Sequence, residues 1–357
     1  MSDFKPNWSS PPGETITDIL SERNISEEQF LKISGLSNEI LKNLLIGKES
    51  ISQSIAEKLE LSLGSTKDFW LNREARYQAD EKLIKQKTLE SWINRLPISD
   101  MIKFGWIKPS KNITQQINNC LQFFDVENYE KWNDTYYGLL LGTAFRTSTS
   151  FKSRPEAVIA WLRQGEIEGD FIECKPWNSK KLHQVLVSIR YLTREKSPTS
   201  FLPKLQLQLA ECGVALSIIP SPKGSSASGA TYFISPDKAL IILSFRYLSD
   251  DHFWFSFFHE AAHILLHGKK SIFIEDDHSQ KNKEEIEANK FAEDILIPND
   301  YKEEFKSLNA TKWREVIRFA KKIGISPGIV VGQLQYFGQI KFNQLNKFKV
   351  KYEWRKK

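Results

Sequence analysis

The run FWFSFFHEAAHILLH, residues 253–267, constrains this chain more than any other stretch. It is apolar almost all round, so a helix built from it must be buried. Yet it carries His259, Glu260 and His263, and unpaired buried polar groups are costly. Helical residues four apart stand about 6 Å apart along the axis, on nearly the same face. Two imidazoles so placed can reach one zinc ion, and the glutamate after the first stands beside the water such an ion activates. The spacing predicts His259 and His263 as zinc ligands and Glu260 as the catalytic acid–base of a peptidase site. The competing account is a chance H-E-x-x-H whose histidines are satisfied core groups. A third ligand decides between them.

Lys283–Ile297 predicts a second helix, ended by Pro298, with Ile286, Phe291, Ile295 and Leu296 as its apolar stripe. Glu285 and Glu287 are its ligand candidates, and they point about 200° apart. Glu285 shares a face with Ala288, Asn289 and Ala292, small enough to bring this helix close to the histidines. Asn289 can then orient one zinc-binding imidazole. Glu285 is preferred as the third ligand, with Glu287 as the alternative. A His-His-Glu set leaves a fourth position for water, the mark of a catalytic zinc site. His267 lies on the same stripe but about 12 Å along the axis from His259, so it is assigned a supporting role. His278 reads as solvated. His252, Asp276 and Asp277 receive no role, and Arg246 or Tyr232 could stabilise an oxyanion.

Around these helices the pattern predicts a small sheet. Phe201–Cys212 reads as a helix, Val214–Ile219, Thr231–Ile234 and Leu240–Ser244 as three strands, and Pro220–Ser228 as a loop. An exposed strand edge could receive an extended peptide, although sheet core accounts for these strands equally well. Asp250-Asp251 starts the histidine helix. Thr311–Ile323 and Pro327–Tyr336 read as helices, and KFKVKYEWRKK as a basic, solvated tail.

The chain opens with a polar lead-in, residues 1–13, and then five short helices. The first runs from Thr15 to Asn24. The second, Glu27–Ile33, is capped by Ser26, and the third, Asn38–Ile46, by Ser37. Ser52 caps a fourth, with Ile55, Ala56, Leu59 and Leu61 inward, and the fifth runs from Ser65 toward Lys87. Gly35 between the second and third makes a helix-turn-helix pattern. In that arrangement the third helix enters the major groove of double-stranded DNA. Ser37, Asn38, Lys42 and Asn43, with Lys48 beyond, are the candidate contacts: Asn pairs with adenine edges and Lys with guanine or phosphate. Glu39 repels phosphate unless it faces a cytosine amine. The same bundle could serve a homodimer instead. Residues 88–200 read as helical, with Trp92, Trp106, Trp132, Trp161 and Trp177 as core. Arg146, Arg163 and Arg190 read as solvated rather than as partner contacts.

A chain of 357 residues holds two or three domains, and its net charge of +6 permits nucleic-acid binding without demanding it. Three dispersed cysteines suit a reducing compartment. No leader with an apolar core is present, and no run reaches the roughly 18 apolar residues of a membrane span. The expectation is a cytoplasmic protein without a membrane partner.

Residues 11–77, PPGETITDIL through REARY, resemble the Cro/CI-type (XRE) helix-turn-helix of HigA-like antitoxins. PGE precedes the first helix, IS opens the second, GLS precedes the third, GK follows it, and FWLN lies in the fifth. Phe30-Leu31 stand where that family usually carries a small alanine. WINRLPISDMIKFGWI, AFRTSTSFKSRPEAVIAWLRQGE and VSIRYLTREKSP resemble the connecting region of long fused HigA-type/ImmA proteins. SGATYF through HEAAHILLHGKK, EEIEANKFAEDILIP and GISPGIVVGQLQY resemble the ImmA/IrrE metallopeptidase domains. That family pairs H-E-x-x-H with E-x-x-A-N-x-F-A, and the glutamate opening the second motif falls on Glu285. Ala261-Ala262 replace the Leu-Gly of many members.

The expected fold is a mainly α multidomain chain: a helix-turn-helix bundle at 1–87, a helical connection at 88–200, an α+β zincin-like domain with a small sheet at 201–345, and a basic tail at 346–357. The resemblances imply a DNA-binding regulator whose zinc endopeptidase domain cleaves a repressor- or antitoxin-type protein. The alternative is a HigA-like antitoxin or repressor, with a toxin partner, whose C-terminal domain binds or senses without cleaving.

Overall fold

The computed structural model describes residues 8–138, 153–268, 272–276 and 283–353; Arg146, Asp277 and His278 lie outside these. The chain is mainly helical with a four-stranded sheet toward its C-terminal side. It divides into two compact units, Met1–Ile93 and Asn94–Lys357. Among the described residues no helix is long and apolar enough to cross a membrane.

The first unit consists of α1 (Pro12–Glu22), α2 (Glu27–Ser34), α3 (Asn38–Leu45), α4 (Gln53–Leu63) and most of α5 (Lys67–Arg95). The expected lead-in ends sooner than its polarity suggests. Pro11 and Pro12 take the N-cap and first helical positions, where a missing N–H costs nothing. A Cβ on Gly13 would stand 2.3 Å from the Leu44 carbonyl oxygen, so glycine lets α1 lie against the end of α3. Ser26 forms a capping box with Gln29, and Ser37 and Ser52 each cap the helix that follows. Phe30 is fully buried in this unit's core with Ile16, Leu41, Leu59 and Trp70. Leu61 was expected inward but is 87% exposed; Leu63, four residues beyond Leu59, takes that place. α5 continues without a break through residue 87 to Arg95.

The second unit begins with α6 (Ile98–Lys103), α7 (Ile113–Phe124), α8 (Tyr129–Trp132), α9 (Pro155–Asp170), α10 (Ser179–Ser188) and α11 (Pro198–Ala210). The sheet has the order β1-β3-β2-β4. β1 (Val214–Ile218) runs parallel to β3 (Lys238–Leu243), while β2 (Ala227–Ser235) is antiparallel to both β3 and β4 (Phe273–Asp276). Three strands were expected; β4, only four residues long, is the addition. α9 covers one face, where Leu240 and Ile242 meet its glycines. α12 (Asp250–Leu266) covers the other, burying Phe257, Phe258 and Ala261 with Ile241 and Leu243. α13 (Lys283–Leu296) and α16 (Pro327–Tyr336) pack against α12, with α14 (Lys302–Lys306) and α15 (Trp313–Ile323) between them in sequence.

Two arginines expected to be solvated are instead held by carbonyl oxygens. Arg190 donates to the carbonyls of Leu296 (3.2 Å) and Ile323 (3.0 Å), tying the ends of α13 and α15. Arg163 donates to the Phe123 carbonyl and pairs with Glu166. The basic tail is likewise anchored as far as it is described. Lys351 bridges Ser249, the Tyr352 N–H donates to the Leu248 carbonyl at 2.8 Å, and the Tyr352 ring is buried. The cause lies at the start of α12, where Asp250 and Asp251 are both buried and need partners. Val350 N–H and Ser326 Oγ donate to Asp250, and Lys349 Nζ lies 2.6 Å from Asp251 Oδ2.

Candidate metal centre

α12 holds His259, Glu260 and His263 on its buried length, where it packs against the sheet, α13 and α16. α13 turns Ala288 and Ala292 toward α12, and these small residues let Glu285 reach the histidines. Ile286, expected in the apolar stripe, is instead 52% exposed. His259 Nε2 lies 3.0 Å from His263 Nε2 and 3.2 Å from Glu285 Oε2; His263 Nε2 is 3.5 Å from Glu285 Oε1. Donor atoms of these three buried residues all fall within 4.8 Å of one another.

A second ring fixes their orientation. Asn289 Oδ1 lies 3.0 Å from His259 Nδ1. A carboxamide oxygen only accepts, so His259 carries hydrogen on Nδ1 and turns Nε2 to the centre. On the other side, Glu287 Oε2 lies 3.1 Å from His267 Nε2, and His267 Nδ1 lies 3.0 Å from His263 Nδ1. Glu287 accepts from His267, whose bare Nδ1 accepts from His263, which also leaves Nε2 of His263 directed inward. Glu287 thus supports one histidine through another. Partners of this kind typically contribute tenfold to hundredfold in metal affinity, so Asn289→Ala and His267→Ala are each expected to weaken zinc binding by about that factor in a chelator competition.

The electrostatics follow from burial. Burial alone would lower His259, but the Glu285 hydrogen bond and the charges of Glu275 and Glu285 outweigh it and raise the imidazole. His263 is pushed down to about 2 by burial, then by His259 and His267. Glu260 is driven well up by burial, with Glu275 and Glu285 adding to it. Its two carboxyl oxygens are buried with no hydrogen-bond partner among the described residues. Orphaned acceptors beside two imidazoles and a carboxylate fit a bound zinc ion and its water better than a closed core.

Glu260 rests on β2 at Gly229. A Cβ there would stand 2.3 Å from Glu260 Oε1, so the strand admits the carboxyl only because that residue has no side chain. Gly229→Ala is expected to cost about 1–3 kcal/mol, read as a lower denaturant midpoint.

Tyr232 lies on the α9 face of the sheet, opposite Leu240, and its hydroxyl donates to Glu166 at 2.9 Å. That face is turned away from Glu260, which removes Tyr232 as an oxyanion donor. Arg246 donates to the Ser226 carbonyl. His252 stacks on Tyr247, with ring centroids 4.4 Å apart. Asn38, Lys42 and Lys48 are exposed and Asn43 is half-buried, while Ser37 is exposed but spends its hydroxyl capping α3. Glu275 on β4, whose charge acts on both His259 and Glu260, was missed at the sequence level. A short isolated β-type run next to the site was its only signal.

An uncharacterized HTH-type transcriptional regulator of Escherichia coli (strain K12), YddM, is 33% identical over 61 residues, 17% of this chain and 65% of that protein. The chain therefore spans less than two thirds of that relative's length. Residues 214–334, from the first residue of β1 to the last turns of α16 and including every member of the centre described above, match the family model of the IrrE N-terminal-like domain, Peptidase_M78.

Proposed function

We propose that this chain is a DNA-binding regulator carrying a zinc-dependent endopeptidase domain whose substrate is a repressor- or antitoxin-type regulatory protein. The observation that carries the proposal is the buried convergence of His259, His263 and Glu285 beside the carboxyl of Glu260, which has no partner among the described residues. The three residues would hold zinc, which when bound would acidify water and polarise a peptide carbonyl. Asn289 and the Glu287–His267 pair keep both imidazoles turned inward. Glu260 takes a proton from water and returns it to the leaving amine nitrogen. Its enclosure by Gly229 and the surrounding helix holds it in one place for both transfers. The match over residues 214–334 supports a metallopeptidase-type domain, and the likeness to an HTH-type regulator supports DNA as a partner. The exposed polar side of α3 supports it too.

Purified full-length protein tests the proposal. Zinc is expected near one equivalent, and Glu285→Ala is expected to lose it by elemental analysis. Full metal occupancy in that variant would remove Glu285 from the ligand set. Salt-sensitive DNA binding in a protein that holds no zinc and cuts nothing would instead support a repressor that senses without cleaving.

A further inference from the structure

The side of α12 that bears His259 and Glu260 continues toward the helix N-terminus through Phe255, Ser256 and His252. These residues form one wall of a cavity of about 260 Å³. Ser228 and Glu275 line the cavity beside Gly229, the residue on which Glu260 rests. Glu293 of α13 and Gln333 and Tyr336 of α16 line it across from the sheet.

Its chemistry is unfinished in a specific way. Asp251 Oδ1, Glu275 Oε2 and Gln333 Nε2 are buried atoms without a hydrogen-bond partner among the described residues. Asp251 is 7% exposed and Gln333 6%. Each such group costs stability unless something binds it. Glu293 adds a further carboxyl, which burial pushes up against the opposing influence of Lys302. Lys349 already serves the other oxygen of Asp251. Phe255 and Tyr336, with ring centroids 6.4 Å apart, give the cavity an aromatic side.

We propose that this cleft binds the side chain of an arginine or lysine in the polypeptide held at the metal centre, one or two positions from the bond that is cut. This rests on the peptidase proposal. A guanidinium or ammonium supplies only donors, which Asp251 Oδ1, Glu275 and Glu293 accept, and its carbon stem lies on Phe255 and Tyr336. The Gln333 amide is left to donate to the carbonyl of the same residue. The reach agrees: four helical residues separate Phe255 from His259, about 6 Å along the axis, and an extended chain advances about 3.3 Å per residue.

The test uses full-length, zinc-loaded protein and three probes: N-acetyl-arginine amide, N-acetyl-norleucine amide and N-acetyl-glutamate amide. The arginine probe is expected to bind about tenfold to hundredfold more tightly than the norleucine probe, as charge-assisted hydrogen bonds imply. Glu293→Gln should reduce that preference while leaving the norleucine affinity and the circular dichroism unchanged, and Glu275→Gln should reduce it as well. Equal binding of the three probes, or an arginine preference that survives both substitutions, would overturn the proposal. Peptides bearing arginine, norleucine or glutamate near the cut bond separate the two proposals. Arginine-selective binding without hydrolysis of any peptide leaves the cleft assignment standing and removes the peptidase. Hydrolysis indifferent to the three side chains removes the cleft assignment alone.

Discussion

Glu260→Gln is expected to lower peptide hydrolysis by about 10²–10⁴-fold, roughly 3–5 kcal/mol of transition-state stabilisation, while zinc content stays at the wild-type level. The substitution is nearly isosteric, so the contact with Gly229 is kept and the fold is undisturbed. What is lost is the ability to hold a proton between the attacking water and the leaving nitrogen. Burial, Glu275 and Glu285 push the Glu260 carboxyl upward. That direction suits a group that must accept a proton and give it back near neutral pH. Single-turnover hydrolysis with parallel zinc analysis checks the outcome. A variant that keeps most of its rate would move the acid–base role elsewhere. One that loses its zinc would make Glu260 a ligand.

Asp250→Asn is expected to remove a pH dependence of stability worth about 3 kcal/mol. Burial lifts the Asp250 carboxyl from 3.8 to about 6, against the Ser326 hydrogen bond and with a further push from Asp251. Between those values the folded chain binds a proton that the unfolded chain releases. Stability from this group is therefore greatest below about pH 4 and falls as pH rises through about 6. Asparagine can still accept from Val350 and reach Ser326, but it carries no charge to desolvate. Denaturant titrations from pH 4 to 8 should show the wild type losing stability relative to the variant across that window. Parallel curves would mean that Asp250 is not the group responsible.

Much of the centre was legible because its constraint is local. Four-residue spacing put His259 and His263 together, and the face shared by Glu285, Ala288 and Ala292 is the one turned to α12. Less legible was whatever depends on contacts distant in sequence. Residues 227–230, Ala-Ser-Gly-Ala, do not look like a strand; they belong to β2, and Gly229 is there to receive Glu260. β4 is too short to show a period, so Glu275 went unassigned. Leu61 and Ile286 sit at helical spacing with their stripes, yet the packing partner is on the other side. Residues 349–352 looked solvated by composition, because nothing local discloses the buried Asp251 and Asp250 that Lys349 and the Val350 N–H serve. Arg190 was misread for the same reason, its carbonyl partners lying more than 100 positions away.

The anchoring of α12 by residues 349–352 has a consequence for how the protein is made. Asp251 is synthesised roughly 100 residues before Lys349, an interval of about 5–20 s at ordinary rates of about 5–20 residues per second. Throughout it, a largely apolar helix has its histidines but neither the cation nor the backbone donors that seat its first turn. The metal centre on that helix would thus mature only after residues 349–352 have been made. A nascent chain of this design would be temporarily dependent on whatever shields exposed apolar segments.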